Sequence, residues 1–239
     1  MKRTFVAAMT LMLTSSIAHA EGINLSWNNC GTTGVQNAQW VCDANSGLPF
    51  SLYASYIPPS GIVEFLGVSS QIDIFTEGTL PDWWKHGSAG CRSTTGLAVS
   101  FDYTSSPSAC LDIYNGQAAG GFAYDVGFGS PNRARFRITC AIPFDNRSPL
   151  NALTEYNAYR VNFLRSKSTG TGSCEGCLTP ACIVLNDVQL FQPPEQLFDP
   201  LIFNPADRNF ATWQQAPPGC PESTPTRSAT WGQVKSLYR

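Results

Sequence analysis

Residues 133–142 read Arg133-Ala134-Arg135-Phe136-Arg137-Ile138-Thr139-Cys140-Ala141-Ile142. Ala134, Phe136, Ile138, Cys140 and Ile142 fall on one parity, and Arg133, Arg135, Arg137 and Thr139 on the other. Successive side chains of a strand point to opposite faces, so this stretch is a strand with one buried face and one solvated face. A helix would scatter the three arginines round its axis. The same alternation recurs on both sides. Ile23, Leu25 and Trp27 share a parity, as do Phe50, Leu52, Ala54 and Tyr56, then Ile72 and Ile74. Leu97, Val99, Phe101 and Tyr103 repeat it, followed by Phe122, Tyr124, Val126 and Phe128, and by Tyr159, Val161 and Phe163. Ile183-Val184-Leu185 is continuous, and Val188 and Leu190 follow Asn186-Asp187 on changed parity, which predicts a β-bulge there.

About eight to ten short strands separated by Gly, Pro, Ser and Asn turns need two sheets to bury their apolar faces. The expected fold is all-β, an antiparallel two-sheet β-sandwich of jelly-roll or Greek-key type. Helix is scarce: Ser148-Pro149 can open one short turn towards Tyr156. Residues 192–239 lose the alternation and are rich in proline, yet keep Leu197, Phe198, Leu201, Phe210, Trp213 and Trp231. They read as an irregular strap laid on the sandwich. It ends in a short helix, because Thr230-Trp231-Gly232-Gln233 fits a capping box and Trp231, Val234 and Leu237 share a side.

Residues 1–20 read as a signal peptide: Lys2 and Arg3, an apolar run, then Ala18-His19-Ala20. The expected units are therefore the signal peptide 1–20, a sandwich domain 21–191 and the strap 192–239. The expected location is secreted, extracellular or periplasmic after cleavage.

Only 13% of residues are charged, against a usual share of about 25%. With 15 Lys+Arg and 17 Asp+Glu there is no basic excess for nucleic acid, and no apolar run approaches the roughly 20 residues of a membrane helix. Losing Lys2, Arg3 and His19 with the signal peptide leaves 13 basic against 17 acidic groups, a formal charge of −4, and His86 as the sole histidine. No GxSxG elbow or HExxH helix occurs, so nucleophilic triads and zinc-peptidase chemistry have no visible foundation.

Nine cysteines in an exported chain read as four disulfides and one thiol. Cys140 shares the apolar parity of its strand and is the expected free thiol. Sequence proximity pairs Cys30 with Cys42 and Cys91 with Cys110. That leaves Cys174 with Cys182 and Cys177 with Cys220, or the swapped arrangement. The CxxC at Cys174 and Cys177 precedes a strand rather than opening a helix, which favours structural bridges over thiol exchange, and zinc lacks a fourth ligand.

Four residues suggest a ligand site. Trp83 and Trp84, flanked by Asp82 and His86, can form a stacking platform for a sugar ring, although consecutive side chains usually point opposite ways, which places at least one of the two indoles as a plug at the end of the sandwich. Arg133, Arg135 and Arg137 form a ladder that binds an anion or pairs with carboxylates on a neighbouring strand. Asp73, Asp102, Asp112 and Asp125 lie on strands or their ends, and two of them across a cleft would suit a glycosidase. Asp43-Ala44-Asn45-Ser46-Gly47 opens like a calcium loop, but Ala54 stands where the bidentate Glu belongs. A turn built by Asx side chains explains it. No cofactor is expected, with calcium the one alternative. These features describe a binding or structural module whose partner is a carbohydrate or a surface protein. The rivals are a small secreted hydrolase and a subunit docking through its C-terminal segment.

Overall fold

The structure is a computed structural model that describes residues 21–216 and Cys220. The expected signal peptide and terminal helix lie outside the described residues. Eleven strands run in the order β1 (Gly22–Trp27), β2 (Asn37–Ala38), β3 (Phe50–Ile57), β4 (Gly67–Thr76), β5 (Leu97–Ser100), β6 (Ala119–Val126), β7 (Arg133–Ala141), β8 (Tyr156–Phe163), β9 (Ala181–Phe191), β10 (Leu201–Ile202) and β11 (Phe210–Trp213). Among the described residues the only helical pieces are short 3₁₀ turns. The helical turn expected after Ser148 is absent: Ser148 bridges to Phe65, and the Leu150 amide donates to the Ile62 carbonyl at 3.0 Å. Those pairings hold the backbone extended.

Two sheets pack as a sandwich. One has the order β1-β3-β8-β5; the other has the order β2-β11-β9-β4-β7-β6, with β10 paired to β9. Pairing is antiparallel except between β2 and β11. The strap thus contributes two short strands to the larger sheet. β11 is buried along most of its length, which is why it shows no alternation.

Strand β7 sets the pattern of the larger sheet. Ala134, Phe136, Ile138 and Cys140 point inward with Val68, Ile72 and Ile74 of β4 and Ile183, Leu185, Val188 and Leu190 of β9, all buried. The facing layer is Ile23, Leu25 and Trp27, Leu52, Ala54 and Tyr56, and Tyr159, Val161 and Phe163. At one end the core is aromatic. Trp213 packs on Trp83 at 4.8 Å between ring centroids, on Phe50 at 4.9 Å and on Trp84 at 5.3 Å. The indole N–H of Trp213 donates to the Cys177 carbonyl at 2.7 Å, so its polar atom is satisfied in the interior.

The outer face of the smaller sheet is covered as well. The turn 204–208 bonds along β1, through Ile23 N–H to Asn204 C=O and Leu25 N–H to Arg208 C=O. Residues 101–118 wrap the same sheet: Tyr103 lies near Tyr53, Ser108 bonds Asn157 at 2.8 Å, and the Leu111 amide bonds the Glu155 carbonyl. Buried Asn24 and Ser55 both donate to Glu155 Oε1 at 2.6 Å.

Four disulfides staple these layers, and only one of them joins cysteines that are consecutive in the sequence. The pairs are Cys30–Cys110, Cys42–Cys177, Cys91–Cys174 and Cys182–Cys220. The chain changes sheet at seven of its ten strand-to-strand connections, so loops far apart in sequence come together. The expected pairs Cys30–Cys42, Cys91–Cys110, Cys174–Cys182 and Cys177–Cys220 are therefore replaced by long-range ones. Both members of the CxxC are spent on distant partners. Cys140 stands outside the four bridges, buried between the sheets, and burial pushes its thiol up to about 11.

Candidate functional site

The tryptophan platform is overturned by the structure. Asp82–Trp84 forms a 3₁₀ turn after Pro81, and both indoles have 0% exposure. In such a turn neighbouring side chains sit about 120° apart rather than on opposite faces, so both rings reach the core. Trp84 packs edge-on to Phe163 at 5.5 Å, and Trp83 lies against Trp213. No ring face is left for a sugar. Asp82 is exposed and bonds Lys85 at 2.8 Å. His86 is buried, with Nδ1 3.3 Å from the Ser93 carbonyl. Burial and the nearby Arg92 charge bring its pKa down to about 3, outweighing the Ser93 bond, so the ring is neutral at ordinary pH.

Arg92, to which no sequence motif points, is also part of this end of the core. Its side chain is buried, lies 4.1 Å over the Trp83 ring and donates to the carbonyls of Trp83 and Leu164. Burial lowers its pKa to about 10. It ties the 83–92 loop to the aromatic end of the core as a structural cation.

The arginine ladder lies on the outer face of the larger sheet, beside a small cluster in which Cys220 packs on Cys182, Val184 and Phe75. Its anion is the chain's own Asp73. Register places Arg135 of β7 opposite Asp73 of β4 on one side and Asp125 of β6 on the other. Asp73 is fully buried and accepts from Arg135 Nε and Nη2 at 2.6 Å, from Arg133 Nη2, and from Asn186 Nδ2 at 2.7 Å. Burial alone would raise its pKa, but the bonds from Arg135, Arg133 and Asn186 outweigh it and hold the carboxyl below its ordinary value. Arg137 reaches Asp125 at 2.6 Å with more than half of its side chain exposed. Phe128, from the β6–β7 turn, lies 4.2 Å from the Arg135 guanidinium and 5.5 Å from that of Arg133.

The β4–β9 register shifts at Gln71/Ile72, beside Asn186 and Asp187, where the parity change predicts a bulge. The extra residue lets Asn186 serve Asp73 while Asp187 meets Gln71 at 3.2 Å. Burial pushes Asp187 up to about 6, with Asp73 adding to the rise and the bonds from Gln71 and the Arg135 charge opposing it. A carboxyl titrating near 4 unfolded and near 6 folded holds its proton longer in the native state, so stability falls as pH rises through that window. Asp187→Asn should therefore stabilise the protein at pH 7.5 by about 1–2 kcal/mol, discounted for partial exposure, and by nothing at pH 3.5. Urea unfolding at the two pH values checks this; an equal gain at both would show that charge is not the cause.

The other carboxylates are also committed. Asp102 bonds the amide and hydroxyl of Thr104 at 2.9 and 2.6 Å, and Asp112 bonds the Tyr114 amide at 2.8 Å. Asp73 and Asp125 stand two strands apart with Arg135 between them, so these two do not form an open carboxylate pair. In the calcium-like stretch, Asn45 bonds Thr169 in both directions, at 2.9 and 3.1 Å. Among the described residues no group of three His, Cys, Asp or Glu side chains is placed to hold a metal ion.

No protein-family model matches the chain, and no curated protein matches it. Two solved structures are similar. The second type II cohesin module from the cellulosomal adaptor ScaA scaffoldin of Acetivibrio cellulolyticus is 10% identical, with 84% of this chain and 100% of that one covered and a TM-score of 0.39. The same module including its long C-terminal linker is 11% identical, with 87% and 97% covered and a TM-score of 0.35.

Proposed function

We propose that this is an exported, non-catalytic module that binds another extracellular protein through the outer face of its larger sheet. One observation carries the reading: on the outer face of that sheet, Arg135 lies 4.2 Å from the ring of exposed Phe128 and is anchored on the buried Asp73 carboxylate, beside exposed Arg137. Arginine and aromatic side chains held in fixed positions are the groups that dominate protein interfaces, because little entropy is lost when they are covered. Strands rather than loops hold Arg135 and Arg137, which keeps their geometry fixed before the partner arrives. The partner offers carboxylates or carbonyls to Arg137 and an apolar contact to Phe128. Export rests on the 1–20 segment and on four disulfides, which persist in oxidising compartments. The hydrolase alternative loses ground because its carboxylates are bonded within the chain.

The test uses the full exported chain, immobilised and exposed to the extracellular and envelope fractions of its source. A retained partner is then measured against single variants, with a glycan array run alongside. Phe128→Ala and Arg137→Ala should each weaken binding about fivefold to thirtyfold, the loss of an interface anchor worth about 1–2 kcal/mol. Partner affinity unchanged in both variants, or glycan binding without any protein partner, would overturn the reading.

A further inference from the structure

Strand β6 is an open edge of the larger sheet, and it lacks the usual protection. The Gly127 amide donates to the Arg133 carbonyl at 2.7 Å. Hydrogen-bonded pairs alternate in an antiparallel ladder, so Asp125, Ala123, Gly121 and Ala119 bond β7 through register partners Arg135, Arg137, Thr139 and Ala141. The N–H and C=O groups of Gly120, Phe122, Tyr124 and Val126 therefore point away from β7. None of them has a partner among the described residues. Natural edges are blunted by lysine, proline, a bulge or a short length. This one runs for 8 residues, Ala-Gly-Gly-Phe-Ala-Tyr-Asp-Val, with no lysine, no proline and no register break. Its single charge, Asp125, is already engaged by Arg137.

We propose that β6 pairs antiparallel with β6 of a second copy of this chain, joining the two larger sheets across a two-fold axis. The strand is complementary to itself with Ala123 facing Ala123 on the axis. That non-hydrogen-bonded position brings Cα atoms to about 4.5 Å, the closest approach in the ladder, and alanine fits it. Gly121 then faces Asp125 of the other copy, where a Cβ on Gly121 would meet nothing within 4 Å. The two Asp125 carboxylates end about 14 Å apart along the strands, four residues at about 3.4 Å each, so like charges do not oppose. On the inner side Phe122 faces Tyr124 of the other copy twice, closing over two half-buried rings. Shifting the register by two residues towards β7's end of the hairpin would bring the carboxylates to about half that separation. This proposal is independent of the partner on the arginine face, since it rests on the edge backbone.

The experiment is sedimentation equilibrium on the full exported chain, with Ala123→Lys as the variant. Ala123 is exposed, so the substitution leaves the core untouched, and a thermal melt confirms it. Wild type should show a concentration-dependent species of twice the monomer mass. Ala123→Lys places two lysines face to face and should raise the dissociation constant about tenfold. Mixing Ala123→Lys with Ala123→Glu should restore a dimer containing one of each. Amide exchange at Gly120, Phe122, Tyr124 and Val126 should slow as wild-type concentration rises. A wild type that stays monomeric, or a dimer unaffected by Ala123→Lys with no protection at those four amides, overturns the proposal. Either result leaves the Phe128 and Arg137 measurements to be judged on their own.

Discussion

Reducing the four disulfides is expected to unfold the protein without any denaturant. The bridges close loops of 80, 135, 83 and 38 residues. Loop-closure entropy alone assigns each about 4–5 kcal/mol when taken singly. The loops overlap, so the sum is not additive, yet two of them already match the roughly 5–15 kcal/mol net stability of a domain. The geometry agrees, since Cys42–Cys177 and Cys91–Cys174 hold the turns around the aromatic end of the core. With dithiothreitol at neutral pH, the near-ultraviolet circular dichroism of the buried tryptophans should collapse. Thiol titration should read none in the native state, one on unfolding without reductant, and nine after reduction. A reduced protein that keeps a cooperative melt within a few degrees of the oxidised one would show the sandwich to be self-sufficient.

Asp73→Ala is the most damaging single substitution expected on the outer face. It leaves Arg133 and Arg135, both mostly buried, facing an apolar hole where a carboxylate stood. Removing one partner of a buried pair costs about 3–5 kcal/mol. The guanidinium ends keep some exposure, so the lower end applies. Asp73→Asn should lose nearly as much, because the charge rather than the volume satisfies the arginines. The acid side follows from the same group. Its folded pKa lies below the unfolded one, so its contribution is present above about pH 4 and disappears as pH falls through the lowered value. Guanidinium unfolding of the three proteins decides it. A loss under 1 kcal/mol would mean that the arginines find water or other acceptors at little cost.

Strand β7 shows how much could be read beforehand. Its alternation placed Phe136, Ile138 and Cys140 inside and the arginines outside, and from that the two-sheet sandwich followed. A period of two is a local property, visible within ten residues. The disulfide partners were not legible because they depend on which loops the crossings bring together, a global property that sequence distance does not report. Burial of both Trp83 and Trp84, rather than one, has another cause: opposed side chains are a rule for strands, and the pair sits in a 3₁₀ turn. The Asp73 cluster was half visible. Arginines at one parity and an aspartate at matching parity on another strand made pairing an expectation, but only the register shows Arg135 centred between Asp73 and Asp125. Arg92 left no signal, since one arginine after a cysteine looks like any surface residue.

The placement of β11 has a consequence in time. It enters between β2 and β9, bonding residues as much as 175 positions earlier through Thr212 and Asn37. A chain emerging N-terminus first, from a ribosome or a translocation channel, must hold β2 and the edge of β9 unpaired until residue 213 is free. Non-local pairing of this kind is slow and leaves strand edges open to other chains. Among the described strands the last to appear is thus the one that joins β2 to the larger sheet, and that sheet is complete only once residue 213 has emerged.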